Sequence, residues 1–230
     1  MTNHSMANHS GTNHSGKKLI VFGARGRVGR AVADEARARG YAVTEAGRAE
    51  GDVTSAADVA RLAAGHDTAV VAVYDPKAAP GVFFPAAARA MAAGLAQAGV
   101  ARLVSVGLAS VLATESGAAL MDTPGYPQEW REFYVGHGAG TDALRAAAPA
   151  GLDWAVLSPA GDFGDDAPQT GRSTDGTQTG RSADAPQAGR YVFGPADAAS
   201  RISHADFARA VVDEATAPTR HAVHSGVGPA

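Results

Sequence analysis

Lys18-Leu-Ile-Val-Phe-Gly-Ala-Arg-Gly-Arg-Val-Gly-Arg30 decides how the rest of the chain is read. Four consecutive apolar residues, Leu19 to Phe22, have the length of a buried strand, and residues from Arg27 place Val28, Ala31, Val32 and Ala36 on one helical stripe that runs to Arg39. Gly40 is the expected stop of that helix. Between strand and helix stand Gly23, Gly26 and Gly29. A glycine turn in this context suits a dinucleotide: Gly23 permits the tight turn, Gly26 lets backbone amides approach a pyrophosphate, and Gly29 lets helix and strand pack closely. The free amides at the helix start, at Arg27, Val28 and Gly29, together with the positive end of the helix dipole, then hold the phosphate charge.

Outward from this turn, the same alternation continues. Strands are expected over 41–46, 68–73, 102–106 and 152–157, and helices over 55–64, 85–98 and 129–147. Strands alternating with helices of this length give βαβ units, and near-continuous apolar strands mean that both sheet faces are covered. The fold class is therefore α/β, a doubly wound parallel sheet of the Rossmann kind with helices on both faces. A small C-terminal extension follows, with a short strand over 200–203, a helix over 204–215 that Ser203 and Asp206 can cap, and a last segment over 221–225. Ligands in such sheets sit at the carboxyl ends of the strands.

Two stretches stand apart. Residues 1–16 repeat Asn-His-Ser three times and read as a disordered polar tail; its histidines could hold a transition metal, but a solvated tail fits better. Residues 164–190 carry Gln169-Thr-Gly-Arg-Ser173, Gln178-Thr-Gly-Arg-Ser182 and Gln187-Ala-Gly-Arg190, a low-complexity insertion too polar for a core. Residues 17–230 are expected to form one domain around it.

Composition limits the partners. A net charge of −3 without a Lys/Arg block gives no reason to expect nucleic acid, and no apolar run is long enough to cross a membrane. With no cysteine there is no disulfide, thiolate nucleophile or cysteine-ligated zinc. No metal site is expected. The absence of a secretory leader pattern gives the expectation of a cytoplasmic protein acting on a small molecule; its oligomeric state stays open.

The end of the second strand bears on which dinucleotide is bound. NAD sites commonly carry an acid there, about 20 residues beyond the glycines, and that acid repels a 2′-phosphate. Here the place reads Ala46-Gly47-Arg48, with Glu45 inside the strand and pointing elsewhere. Arg48 can meet a phosphate with paired donors and Arg25 can do so from the glycine turn, so NADP(H) is favoured over NAD(H).

The Gly23 to Gly29 turn, Gly51-Asp52-Val53, Val104-Ser-Val-Gly107, Leu152-Asp-Trp-Ala-Val-Leu-Ser-Pro159 and Ser200-Arg-Ile-Ser-His-Ala-Asp206 together resemble the atypical short-chain dehydrogenase/reductase superfamily. Within it the chain is similar to small NAD(P)H-binding proteins of the flavin and biliverdin reductase kind and to redox-sensing regulators of nitrogen-metabolite repression. The resemblance implies that Asp52 and Val53 border the adenine and Val73 and Tyr74 the adenosine ribose. It also implies that Val106 and Gly107 lie at the nicotinamide and Ser158 and Pro159 at its carboxamide.

The catalytic half of that resemblance is incomplete. Relatives pair a tyrosine with a lysine four residues on, and the lysine lowers the tyrosine pKa for proton relay. Tyr134 is followed by Gly138 at that place. Tyr134 and His137 remain the candidate catalytic residues, although the Gly-rich setting of His137 suggests a surface position. Ser105 and Ser110 flank the end of the fourth strand, with Ser105 expected to point into the sheet. Two readings follow: a reductase passing hydride directly to a flavin, quinone or enone-like acceptor, or a dinucleotide-binding redox sensor or scaffold without turnover.

Overall fold

A computed structural model describes residues 17–164 and 191–230. The tail over 1–16, and the 164–190 insertion apart from Gly164, lie outside the described residues. The sheet begins with β1 (Lys18–Phe22), β2 (Ala42–Ala46), β3 (Thr68–Val71), β4 (Arg102–Val106) and β5 (Asp153–Pro159). It is completed by β7 (Tyr191–Gly194) and β9 (Val223–Pro229), while β6 (Asp162–Phe163) and β8 (Arg201–Ile202) make a separate two-stranded ladder. The helices are α1 (Arg27–Ala38), α2 (Ala56–Ala63), α3 (Pro80–Ala98), α4 (Arg131–Ala147) and α5 (His204–Thr216).

Seven strands form one sheet in the order β2-β1-β3-β4-β5-β9-β7, parallel except for the β7–β9 pair. Strand alternation sorts the core onto two faces. Leu19 and Val21 of β1 pack with Val32 and Ala36 of α1 and Phe207 and Val211 of α5. Ile20 and Phe22 face the other way, toward Val59 of α2, Met91 and Leu95 of α3, and Leu144 of α4. Each such large side chain, fully buried, contributes about 1.5–3 kcal/mol by leaving water. The doubly wound architecture is thus a direct consequence of strands that are apolar at successive positions.

Chain direction reverses across the sheet at β1, which has β2 on one side and β3 on the other. A crevice opens at the carboxyl ends of strands at such a switch point. Local signals position its walls. Ser55 caps α2 by accepting from the Asp58 amide at 3.3 Å, and Ser203 caps α5 by accepting from the Asp206 amide at 3.0 Å. The third strand ends at Val71 rather than Val73, which frees Ala72 and Val73 to line the crevice. The third helix starts at Pro80 rather than Pro85: Pro80 takes the first helical position, where a missing N–H costs nothing, and Pro85 lies more than a turn further in. The fifth strand extends through Pro159, so Ser158 is a strand residue and not a loop residue.

At the opposite, amino end of the strands lies a buried ionic knot. Arg102, at the start of β4, donates to the Glu214 carbonyl at 3.0 Å, to the Glu214 carboxylate at 3.2 Å and to Asp153 at 2.9 Å. Glu214 also accepts from the amides of Thr219 and Arg220, each at 2.9 Å. Among the described residues no helix is long and apolar enough to cross a membrane.

Candidate functional site

The crevice at the switch point is a cleft of about 610 Å³. Gly23, Arg25 and Gly26 line it from the glycine turn, Gly47, Arg48, Asp52 and Val53 from the β2–α2 connection, and Val73, Tyr74, Asp75 and Phe83 from beyond β3. The three glycines differ in what requires them. A Cβ at Gly23, whose φ is +82°, would lie 2.1 Å from the Ala72 carbonyl oxygen, and one at Gly29 would lie 2.2 Å from the Gly23 carbonyl oxygen. Both collisions are with backbone, so the turn itself demands glycine there. At Gly26 the nearest protein atom to a Cβ would be 3.4 Å away, an ordinary contact. Space at Gly26 is therefore space kept toward the cleft. Gly26 is also the N-cap of α1 and offers no side chain to its first-turn amides, and no acidic residue stands in that turn. The amides of Arg27, Val28 and Gly29 thus begin a helix whose positive end is uncompensated.

Both arginines expected at a 2′-phosphate line the cleft, and both already hold carboxylates. Arg25 Nη2 lies 2.7 Å from Glu50, which also accepts from the Gly47 amide at 2.7 Å. Arg48 donates to the Tyr74 carbonyl at 2.9 Å and lies 3.1 Å from Asp75. Glu45 points away as expected, paired with Arg37 of α1. Asp52 stands at the cleft wall with one carboxylate oxygen accepting from the Thr54 amide and hydroxyl, each at 2.8 Å.

Val106 and Val73 line a small cavity of about 50 Å³ under α3 and α4. Ser105 lines it as well, so its side chain faces the α3–α4 layer: it stands two residues beyond Leu103 of that layer, and pleating puts the two on one face. Gly107, Ser158 and Pro159 are all buried at the strand ends, and Ser110 is buried in a short 3-10 turn over Ala109–Val111.

The two catalytic candidates sit on α4 in different surroundings. Tyr134 is buried, with its ring edge-on to Tyr126 at 5.5 Å; burial and the Glu129 carboxylate push its pKa up, the reverse of an activated phenol. His137 is no surface residue. It packs 4.2 Å from the Phe84 ring, its Nδ1 is buried without a hydrogen-bond partner among the described residues, and it lines the 50 Å³ cavity. Burial, then the neighbouring His224, push its pKa down to about 4, so the ring is neutral near pH 7. The expectation of exposure failed because the glycines beside it are packing positions: a Cβ at Gly136 would lie 2.6 Å from Pro80, and one at Gly140 2.8 Å from Phe84 Cβ.

Sequence reasoning missed Glu50, Asp75 and His224. The two carboxylates are ordinary loop residues until the fold folds them onto Arg25 and Arg48. His224 Nε2 lies 2.7 Å from the Ser158 hydroxyl, a pairing across 66 residues that no local pattern carries. Among the described residues no group of three or more His, Asp or Glu is placed to hold a metal ion.

A crossover crevice, an open glycine turn and a helix start without a counter-charge define a dinucleotide-binding protein of the Rossmann class. A family model for NAD(P)H-binding proteins matches residues 45–218, and the chain belongs to that family. No curated protein matches it in sequence. Among solved structures, a protein provisionally described as exported, from Burkholderia pseudomallei, is similar at 27% identity and a TM-score of 0.72, over 92% of this chain and 99% of that one. A protein provisionally described as an epimerase, from Bacteroides thetaiotaomicron, shares 24% identity at a TM-score of 0.71, over 93% and 97% of the two chains. One provisionally described as an NADH-flavin reductase, from Streptococcus pneumoniae, shares 24% at 0.68, over 94% and 100%.

Proposed function

We propose that the protein is an NADPH-dependent oxidoreductase acting on a small flavin, quinone or enone-like acceptor without a tyrosine–lysine pair. The observation that carries this is the contrast between two adjoining spaces: a cleft lined by Arg25 and Arg48, and, past Val73, an apolar-walled cavity at Val106 without an activated acid. Gly23, Gly26 and the amides of Arg27, Val28 and Gly29 hold the pyrophosphate; Arg25 and Arg48 hold the 2′-phosphate; Asp52 and Val53 border the adenine, and Val73 and Tyr74 its ribose. Val106, Gly107, Ser158 and Pro159 receive the nicotinamide half, which supplies the hydride when bound. The acceptor side offers orientation and exclusion of water. Tyr134, with its pKa raised, and His137, neutral and a weak acid, are poorly suited to donate a proton in the transition state, so water protonates the reduced acceptor. The Streptococcus protein described as a flavin reductase shares the fold on which this chemistry is proposed.

Titration with NADPH and NADH, followed by NADPH oxidation against a panel of flavins, quinones and enones, tests the reading. NADPH is expected to bind more tightly, and Arg48→Ala to lose about 1 to 3 kcal/mol of NADPH affinity, the range for a charge-assisted hydrogen bond, with little change for NADH. Equal losses for both remove the 2′-phosphate assignment. Tight NADPH binding without turnover on any acceptor replaces the reductase with a redox sensor.

A further inference from the structure

His224 has no role assigned so far, and it is hydrogen-bonded to Ser158, a residue of the proposed nicotinamide end. Ser158 is fully buried, its Oγ is 2.7 Å from His224 Nε2, and the two strands that carry them are neighbours in parallel register, Val156 opposite His224 and Ser158 opposite Gly226. Both side chains occupy the space that a side chain at Gly107 would take. A Cβ there would lie 2.4 Å from Ser158 Oγ and 2.8 Å from His224 Nε2. Gly107 is pinned from the other side by its own amide, which donates to the Leu157 carbonyl at 2.7 Å. The hydrogen-bonded pair is thus the support on which the end of β4 rests, and it touches that support only because residue 107 has no side chain.

His224 also lines a groove of about 380 Å³ with Val111, Gly138, Asp142 and Arg145. Gly138, standing where relatives have lysine, is part of that groove. Burial, with Arg145 adding to it, pushes the His224 pKa down to about 4, so the ring is neutral near pH 7 and can hold Ser158 either as donor or as acceptor. A serine hydroxyl has one proton and two lone pairs; the bond to His224 takes one of these three directions and so orients the other two.

We propose that His224 is a positioning residue for the nicotinamide end of the site: through Ser158 and the Gly107 backbone it fixes the floor on which the nicotinamide half of the dinucleotide lies. This rests on the placement of the nicotinamide at Gly107 and Ser158 in the proposed function. The adenosine end, at the carboxyl ends of β1, β2 and β3, is untouched by it.

Comparison of NADPH with 2′-phospho-ADP-ribose, the same molecule without nicotinamide, separates the two ends. Dissociation constants are measured by calorimetry for the wild type, Ser158→Ala, His224→Leu and His224→Gln, with melting temperature and circular dichroism as the folding check. Ser158→Ala and His224→Leu are expected to weaken NADPH about three- to tenfold, the worth of one neutral hydrogen bond, and to leave 2′-phospho-ADP-ribose within about twofold. His224→Gln, whose amide still reaches Ser158, restores most of the loss. Should His224→Leu not fold, His224→Asn, whose shorter amide does not reach the place of Nε2 beside Ser158, is read in its stead. Equal losses for both ligands, or no loss for either, overturn the proposal. Wild-type protein that binds NADPH no more tightly than the fragment also overturns it while leaving the dinucleotide site standing; wild-type protein that binds neither removes the proposed function and this inference together.

Discussion

Glu50→Gln is expected to tighten NADPH binding and leave NADH binding unchanged. In the structure Glu50 holds Arg25 at 2.7 Å, with 66% of the Arg25 side chain and 34% of the Glu50 side chain exposed. A 2′-phosphate that recruits Arg25 has to displace this carboxylate. An exposed ion pair of this kind contributes about 0.2–1 kcal/mol, and a carboxylate left some 7 Å from a phosphate charge adds repulsion of about 0.6 kcal/mol per charge in a water-like medium before salt screens it. Removing the charge therefore gains about 1 kcal/mol, or about fivefold in dissociation constant. Glutamine keeps an acceptor for the Gly47 amide, which Glu50 holds at 2.7 Å, so the loop survives the change. Fluorescence titration of both nucleotides at about 50 and 300 mM salt is the assay, and the gain shrinks at the higher concentration because the Debye length falls below the charge separation. A drop in NADPH affinity refutes the reasoning, since it makes Glu50 the support of Arg25 and not its competitor. An equal gain for NADH refutes it as well, because NADH carries nothing for Arg25 to take.

Gly26→Val is expected to abolish nucleotide binding in a folded protein, because the side chain enters the cleft and not the protein; retained NADPH titration places the pyrophosphate elsewhere. Tyr134→Phe should keep turnover within a few-fold, against the 10² to 10⁴-fold that general acid catalysis is worth where it operates; a hundredfold loss with unchanged NADPH affinity restores a tyrosine-dependent mechanism. Stability should fall on acidification. His137 and His224, held near 4 in the folded protein against 6.5 ordinarily, take protons first in the unfolded chain. Between pH 6.5 and 4 each then costs up to about 1.4 kcal/mol per pH unit, and His137→Phe, which keeps the contact with Phe84, should flatten the decline in melting temperature. A slope unchanged in that variant argues that the His137 ring is not buried neutral.

The order of β1 to β5 was legible because each strand is a short apolar run and each helix carries a periodic stripe, which are local signals. Glycine spacing between Phe22 and Arg27 marked the cleft for the same reason. Legibility ended where partners are far apart in the chain. Arg25 and Arg48 read as free phosphate donors, since nothing near either residue announces Glu50 or Asp75. Ser158 read as a loop residue because its strand partner is the final segment of the chain, and β7 and β9 pair through backbone that composition hardly marks. His137 read as exposed because small residues signal loops in sequence, whereas on α4 they let two helices approach.

The ionic knot around Arg102 and Glu214 has a consequence for how the molecule tolerates change. It ties β4, β5, α5 and the Thr219–Arg220 turn together at the amino ends of the strands, while the cleft lies at their carboxyl ends. The sheet separates the two by its own length. Substitutions within the knot can therefore shift melting temperature without touching the residues that choose the nucleotide, and selection or engineering can act on this tie while holding the cleft fixed.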